Sequence, residues 1–153
     1  MGWRSQIGDA LVLAIGQVTT ANGYTQTLRT VEFDKIKVKI SDFKDFELPA
    51  VQIYDTLGEF NHQMSRSKTS WFLTVEIVLR STELLGTVSQ RTLWDLSEDV
   101  VRAIMVKANL GLGWVQHCKM IDSMTDLHLQ VPNYTATIGL EIMFYEPMTR
   151  DVC

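Results

Sequence analysis

The sequence has few of the features that mark secreted, membrane or lipid-anchored proteins. Its 153 residues contain two cysteines, too few for a disulfide framework, which favours a reducing cytoplasm. The longest apolar run, residues 10–15, is too short to span a bilayer. The first residues lack the basic and apolar regions of a signal peptide, and Gln6 rules out a myristoylation signal after Gly2. We therefore expect no membrane partner.

An excess of basic charge is also missing. Lysine and arginine number 14 against 18 acidic residues, so the net charge is -4 and no general nucleic-acid-binding surface is indicated. An apolar fraction of 46% and a charged fraction of 21% are ordinary for a globular protein and do not fit disorder. The length suits a single domain over residues 1–153, with a core large enough to fold alone.

Motifs that carry chemistry are missing too. Gly111-Leu112-Gly113 follows a predicted helix instead of joining a strand to a helix, so it indicates a helix end and not a phosphate loop. There is no serine nucleophile motif and no paired-cysteine zinc motif. We predict no catalytic residue, no cofactor and no metal, and hence a protein that is not an enzyme.

One segment concentrates residue types that bind metals: His117, Cys118, Asp122, Asp126 and His128. On a regular strand the last four would share a side, which makes a metal site conceivable. Two methionines, Met120 and Met124, would lie on that same side, and the spacing matches no known ligand pattern. A half-exposed strand is the favoured interpretation, and a small metal-dependent enzyme is the remote alternative.

Two segments alternate between apolar and other residues with a period of two. In residues 71–79 the shared side carries Trp71, Leu73, Val75, Ile77 and Leu79. The second segment has the same pattern, with Ala136, Ile138, Leu140, Ile142 and Phe144. This period is that of β-strands with one buried face. We predict that both strands lie in one sheet and form its core face.

The remaining elements cover this face or extend from it. An apolar stripe predicts a helix over residues 5–20, with Ser5 as N-cap and Gly23 as its stop. A second helix begins at Thr87 or Ser89 and ends near Asn109. Weaker strands are expected over residues 36–40, 48–54 and 114–129, the last with a break near Ser123. The predicted class is α+β, a mostly antiparallel or mixed sheet with two helices on one face.

A long polar segment, residues 56–70, joins two strands and predicts a protruding β-hairpin arm. His62 has no catalytic partner nearby, and Arg66 and Lys68 make a small basic spot. A solvated loop and a docking site for an acidic partner carry equal weight, because ordering such a loop costs entropy that a contact must offset. The last residues, 148–153, are expected to form a flexible tail.

The order of the elements carries a further signal. An amphipathic helix over residues 7–18 precedes a strand with Leu48-Pro49-Ala50-Val51, the polar arm and the strong strand 71–79. A helix containing Asp99, a strand beginning at Gly113-Trp114 and a closing strand over residues 136–145 follow. This order resembles the tail terminator, or tail-completion, proteins of tailed bacteriophages.

The resemblance implies a structural virion protein of the tail or neck, assembled in the host cytoplasm. It would form a hexameric ring that caps the tail tube, stops tube polymerisation and presents a surface to the neck. The implied partners are further copies of the chain, the tail tube protein, a neck or head-completion protein and a sheath protein. DNA would pass through the lumen without specific binding.

The resemblance also implies which residues are candidates for contact with other proteins. The arm, with His62, Arg66 and Lys68, is a candidate for contact with neighbours or the tube. Lys37 and Lys39, on the polar face of the predicted edge strand 36–40, are further candidates. Glu76 and Glu141 could face the lumen, where like charge would discourage DNA adhesion. A solvated sheet face is the simpler interpretation of these two carboxylates.

Two other structural roles fit the same size and class. A head-completion or neck protein would form a six-fold or twelve-fold ring on the portal. A tail-tube subunit would polymerise into long tubes, whereas a terminator would stop at a ring.

Overall fold

The computed structural model describes residues 2–33, 36, 43–44, 47–55, 62–63, 68–80, 90–107, 109–126 and 133–145. Within these residues the helices are α1 (Trp3–Ile15), a 3-10 helix (Thr20–Asn22) and α2 (Gln90–Met105). The strands are β1 (Thr30–Glu32), β2 (Ala50–Asp55), β3 (His62–Gln63), β4 (Lys68–Arg80), β5 (Val115–Asp126) and β6 (Asn133–Tyr145). The class is α+β, as the sequence predicts.

The described strands form one mixed sheet in the order β1-β2-β4-β6-β5, with β3 paired to the start of β4. β1 and β2 are parallel, and the other pairs are antiparallel. β4 and β6 pair over their full length, from Lys68 opposite Tyr145 to Arg80 opposite Asn133. The two segments with the cleanest alternation are therefore neighbours near the middle of the sheet.

Both α-helices cover the same face of this sheet. The alternating apolar residues of β4 and β6 are buried and belong to one core cluster with both helices. The helices contribute two buried stripes, which are Ile7, Leu11 and Ile15 from α1, and Leu93, Leu96, Val100 and Ile104 from α2. Burying a side chain of this size contributes about 2 kcal/mol. The prediction that two helices pack on one sheet face is confirmed.

The ends of α1 differ from the prediction. The helix begins at Trp3, and its N-cap is Gly2, which offers no side-chain hydrogen bond, so Ser5 lies inside the helix. It ends at Ile15 and not at residue 20, because a separate 3-10 turn follows. Gly23 closes that turn with a φ of 89°, a conformation that favours glycine. The predicted cap and the predicted stop of this helix are both wrong, because α1 is capped by Gly2 and Gly16, and Gly23 closes the separate 3-10 turn.

Gly8 permits a close contact between α1 and the segment after β1. It is buried, and a Cβ added there would overlap the aromatic ring of Phe33, which packs against the core. The missing side chain leaves the space that the ring of Phe33 occupies.

The other weaker elements are partly described. Of the predicted strand 36–40, only Ile36 lies within the described residues, and it belongs to no strand. The described edge strand on that side is β1, which the alternation did not reveal because it has only three residues. Pro49 directly precedes β2, as its missing N–H requires.

The predicted arm corresponds in part to the pairing of β3 with β4, where His62 lies opposite Ser70 and Gln63 opposite Thr69. Residues 68–70 also pair with β6, so this end of the arm is part of the main sheet. Residues 56–61 and 64–67 lie outside the described part of the chain, as does the tail 148–153. Protrusion of the arm stays a prediction.

Neither of the described α-helices is long and apolar enough to cross a membrane.

Candidate functional site

The sheet face opposite the helices is the first candidate surface, and we call it the open face. Paired residues in adjacent strands point to the same side of a sheet. The register therefore places Gln52, Glu76 and Thr137 in one row, and Tyr54, Thr74 and Gly139 in the next. Phe43, Leu48, Ala50 and Val78 form a small separate apolar cluster at one end of this face. The rest of the face combines aromatic, hydroxyl and carboxylate groups, some of them half-buried, with the buried polar residues Gln52, Ser70 and Thr135.

Glu76 is the best-defined charged group on the open face. Its Oε1 accepts a hydrogen bond of 2.6 Å from Nε2 of Gln52, which is only 1% exposed. The buried amide fixes the orientation of the carboxylate. Burial, with the negative charge of Glu76 as a second cause, raises the pKa of Tyr54 above 10.0. This patch therefore combines the oriented carboxyl group of Glu76 with a phenol that holds its proton more tightly than usual.

Glu141 lies on the same face in a different setting. It pairs in register with Phe72 on one side and with the exposed Lys119 on the other. Glu76 pairs with Thr137, four residues from Glu141 along β6, so the two glutamates are on the order of 14 Å apart. They share a face but form no common site, and Lys119 offsets the charge of Glu141.

Of the five basic residues predicted to make contacts, the structure describes only the backbones of two. The backbone of His62 is in β3, and Lys68 opens β4 opposite Tyr145. Arg66, Lys37 and Lys39 lie outside the described residues. Their role as interaction residues stays a prediction.

The arrangement that made a metal site conceivable does not form. Cys118 pairs with Ile142, whose side chain is in the core, whereas Asp122 pairs with Gly139 on the open face. A register shift between Met120 and Asp122 moves the later residues of β5 to the opposite side. Cys118 and Asp122 therefore do not share a side, contrary to the sequence interpretation. His128 lies outside the described residues, and within them no three candidate ligands cluster.

A second candidate surface, which the sequence pattern does not indicate, lies on the helical side. A groove of about 410 Å³ runs between α1, the turn after it and the C-terminal end of α2. We call it the interhelix groove, and its lining is Ala10, Leu13, Ala14, Gln17, Asn22, Tyr24, Ala103, Ile104, Val106, Lys107 and Leu110. Leu13 and Val106 are 71% and 70% exposed. In the sequence neither residue stands out, because Leu13 lies within the apolar run 10–15 and Val106 directly follows α2, and only the fold places both beside one groove.

A buried carboxylate holds one wall of this groove in place. Asp99 of α2 is 1% exposed, and its Oδ2 accepts hydrogen bonds from the backbone N–H and the hydroxyl of Thr25, at 2.9 and 2.5 Å. Arg102 donates to the other carboxylate oxygen at 2.9 Å, and its guanidinium lies 5.5 Å from the ring centroid of Tyr24. The chain around Tyr24 is thereby fastened to α2, so this wall of the groove is preformed.

No protein-family model matches the chain, and none of the curated proteins is significantly similar to it.

Proposed function

We propose that this protein is a tail terminator subunit of a tailed bacteriophage. Copies of it close into a ring, with six subunits expected from the resemblance. The ring caps the tail tube, ends its polymerisation and provides the interface to the neck or head-completion proteins. The protein would then reside in the tail or neck of the virion.

The order of elements is the observation that carries this proposal. The described chain runs from an N-terminal amphipathic helix through β2, the β3–β4 pairing, α2 and β5 to a closing strand β6. Leu48-Pro49-Ala50-Val51 leads into β2, and Gly113-Trp114 directly precedes β5. These are the features, in the same order, on which the resemblance rests.

The two-layer build also fits a ring subunit. One side of the sheet is covered by helices, and the open face leaves fixed polar groups accessible. Glu76, oriented by Gln52, is the best-placed carboxylate to repel DNA if this face lines the lumen. Glu141 is a weaker candidate, because Lys119 lies next to it in the sheet. A ring structure with both glutamates on its outer surface would overturn this orientation.

The first experiment is to measure the native mass of the purified protein and to image the same sample by electron microscopy. Closed rings of about six subunits that never elongate are the expected result. Long tubes would reassign the protein as a tail-tube subunit, and twelve-fold rings would favour a neck role.

A second step follows if the purified protein is a monomer, since a ring of this kind can close on the tail end alone. Preformed tail tubes are added, and a cap is looked for at their ends. Tubes that remain uncapped and keep growing in the presence of the protein would refute the proposal.

A further inference from the structure

We infer that residues 19–27 form a hinged loop that gates the interhelix groove and is held closed by the carboxylate of Asp99. We call this segment the latch loop. It lies between the end of α1 and the segment before β1, and two of its residues, Asn22 and Tyr24, line the groove. This behaviour does not require that copies of the chain form a ring.

The two ends of the latch loop are joined to each other and anchored in the core. Val18 and Leu28, which flank the loop, are 0% and 9% exposed. The backbone N–H of Leu28 donates to the carbonyl oxygen of Val18 at 3.0 Å. Next to this contact, Oγ1 of Thr27 accepts a hydrogen bond of 3.0 Å from the backbone N–H of Thr20. A segment whose ends are closed in this way can move as a unit while its anchors stay in the core.

The latch loop itself buries little. All residues from 19 to 27 lie in the described part of the chain, and each of them is half-buried or exposed. The loop is folded back by the 3-10 turn, in which Oγ1 of Thr19 accepts a hydrogen bond of 3.3 Å from the backbone N–H of Asn22. Segments with few buried apolar contacts open at lower free energies than the core does. The closed position of this loop therefore depends on polar contacts with α2.

Those contacts meet at Asp99. Its Oδ2 accepts hydrogen bonds from the backbone N–H and the hydroxyl of Thr25, at 2.9 and 2.5 Å. Arg102 donates to Oδ1, and its guanidinium lies 5.5 Å from the ring centroid of Tyr24. Hydrogen bonds to an ionised group are stronger than those between neutral groups. One carboxylate can therefore hold the loop against the helix.

Opening of the loop enlarges the interhelix groove. Asp99 and Ala103 are one helical turn apart on the same side of α2, and Ala103, which lines the groove, is only 4% exposed. When Thr25 leaves Asp99, the wall residues Asn22 and Tyr24 move with it and uncover this side of the helix. The groove thus has a closed and a wide state. A group that binds the wide state better shifts the loop towards it.

The reaction of a thiol with Ellman's reagent tests this gate. Cys153→Ser removes one native thiol, and Ala103→Cys places a thiol in the groove wall behind the loop. Labelling at position 103 should be much faster than labelling of Cys118, which is buried in β5. It should also change little in low concentrations of urea, because opening a loop exposes little surface, whereas labelling of Cys118 should accelerate steeply.

Three substitutions of threonine by a residue of similar size identify the latch. Thr25→Val removes the hydroxyl that donates to Asp99, and it should accelerate labelling at position 103 by roughly ten- to a hundredfold, the effect of losing one hydrogen bond to a charged group. Thr25→Ser keeps the hydroxyl and should retain the native rate. Thr137→Val is the matched control, because it makes the same change on the open face, away from the loop.

Hydrogen exchange of the amide at position 25, whose N–H donates to Asp99, gives a second measurement that also works in the native chain without an added thiol. Thr25→Val should accelerate this exchange and the labelling at position 103 by the same factor. Equal rates and equal urea dependences at positions 103 and 118 would overturn the inference, since the groove wall would then open only when the protein unfolds. Faster exchange without faster labelling would mean that the loop moves without gating the groove. A labelling rate that does not respond to Thr25→Val would refute the role of the latch.

Discussion

Gly8 and Phe33 should show strong energetic coupling. Gly8 is a buried helical residue, and the ring of Phe33 occupies the place where a Cβ would project. Gly8→Ala therefore has two opposing effects. It should favour the helix by about 1 kcal/mol, and it should crowd a packed contact at a cost of about 1–3 kcal/mol. We expect a net loss of about 1 kcal/mol in the native chain.

The effect of Gly8→Ala on stability should change from a loss to a gain when Phe33 is shortened. In a Phe33→Ala background the space is free, so Gly8→Ala should stabilise by the propensity gain of about 1 kcal/mol. The coupling between the two sites is then about 2 kcal/mol. For a domain of this size, 1 kcal/mol corresponds to about 2–4 °C in Tm.

The native chain, Gly8→Ala, Phe33→Ala and the double variant form a double-mutant cycle. The stability of each is measured by thermal and urea unfolding followed by circular dichroism. Ser5→Ala is the control, because Ser5 is exposed on the same helix. It should stabilise both backgrounds equally, by roughly 0.5 kcal/mol. An equal loss from Gly8→Ala with and without Phe33 would refute the reasoning, since the cost would then come from another contact.

The remaining predictions concern two buried groups. Asp99→Ala should lower the free energy of unfolding by about 3 kcal/mol in urea titrations, because two hydrogen bonds from Thr25 lose their charged acceptor. Asp99→Asn should recover part of that loss, and equal losses would contradict this explanation. Burial raises the pKa of Cys118 from 9.0 to about 12, so the folded state keeps a proton that the unfolded state releases. Its contribution to stability should be complete below pH 9 and decrease up to about pH 12, by at most about 1.4 kcal/mol per pH unit. Cys118→Ala should reduce this slope, and an unchanged slope would contradict the assignment. With Cys153→Ser, Cys118 should resist Ellman's reagent until the protein unfolds.

The sequence was sufficient to predict those elements in which buried and exposed positions repeat regularly along the chain. β4 and β6 lie inside the sheet with one face against the helices, so burial alternates along each strand and the pattern is visible in the residues alone. The stripe of α1 was also found, but Val18 extended it past the true end at Ile15. Val18 is buried because the turn after the helix returns it to the core.

Features that depend on distant partners were not predictable. β1 has three residues and is a strand only because Thr30–Glu32 lies beside β2. The shift at Ile121, which separates Cys118 from Asp122, depends on how β5 pairs with β6. The interhelix groove requires two helices that are far apart in the sequence. A local pattern contains none of this information.

The position of β6 has a consequence for how the chain reaches this structure. β6 is the last described strand in the chain, yet it lies between β4 and β5. Each of its pairings with β4 joins residues that are roughly fifty or more positions apart in the sequence. The chain therefore loses the entropy of closing a long loop before the contacts of this pairing can stabilise it. Non-local pairing of this kind makes folding slow. Until β6 arrives, the apolar sides of β4 and β5 lack their shared neighbour, so a nascent chain passes through a period in which aggregation competes with folding.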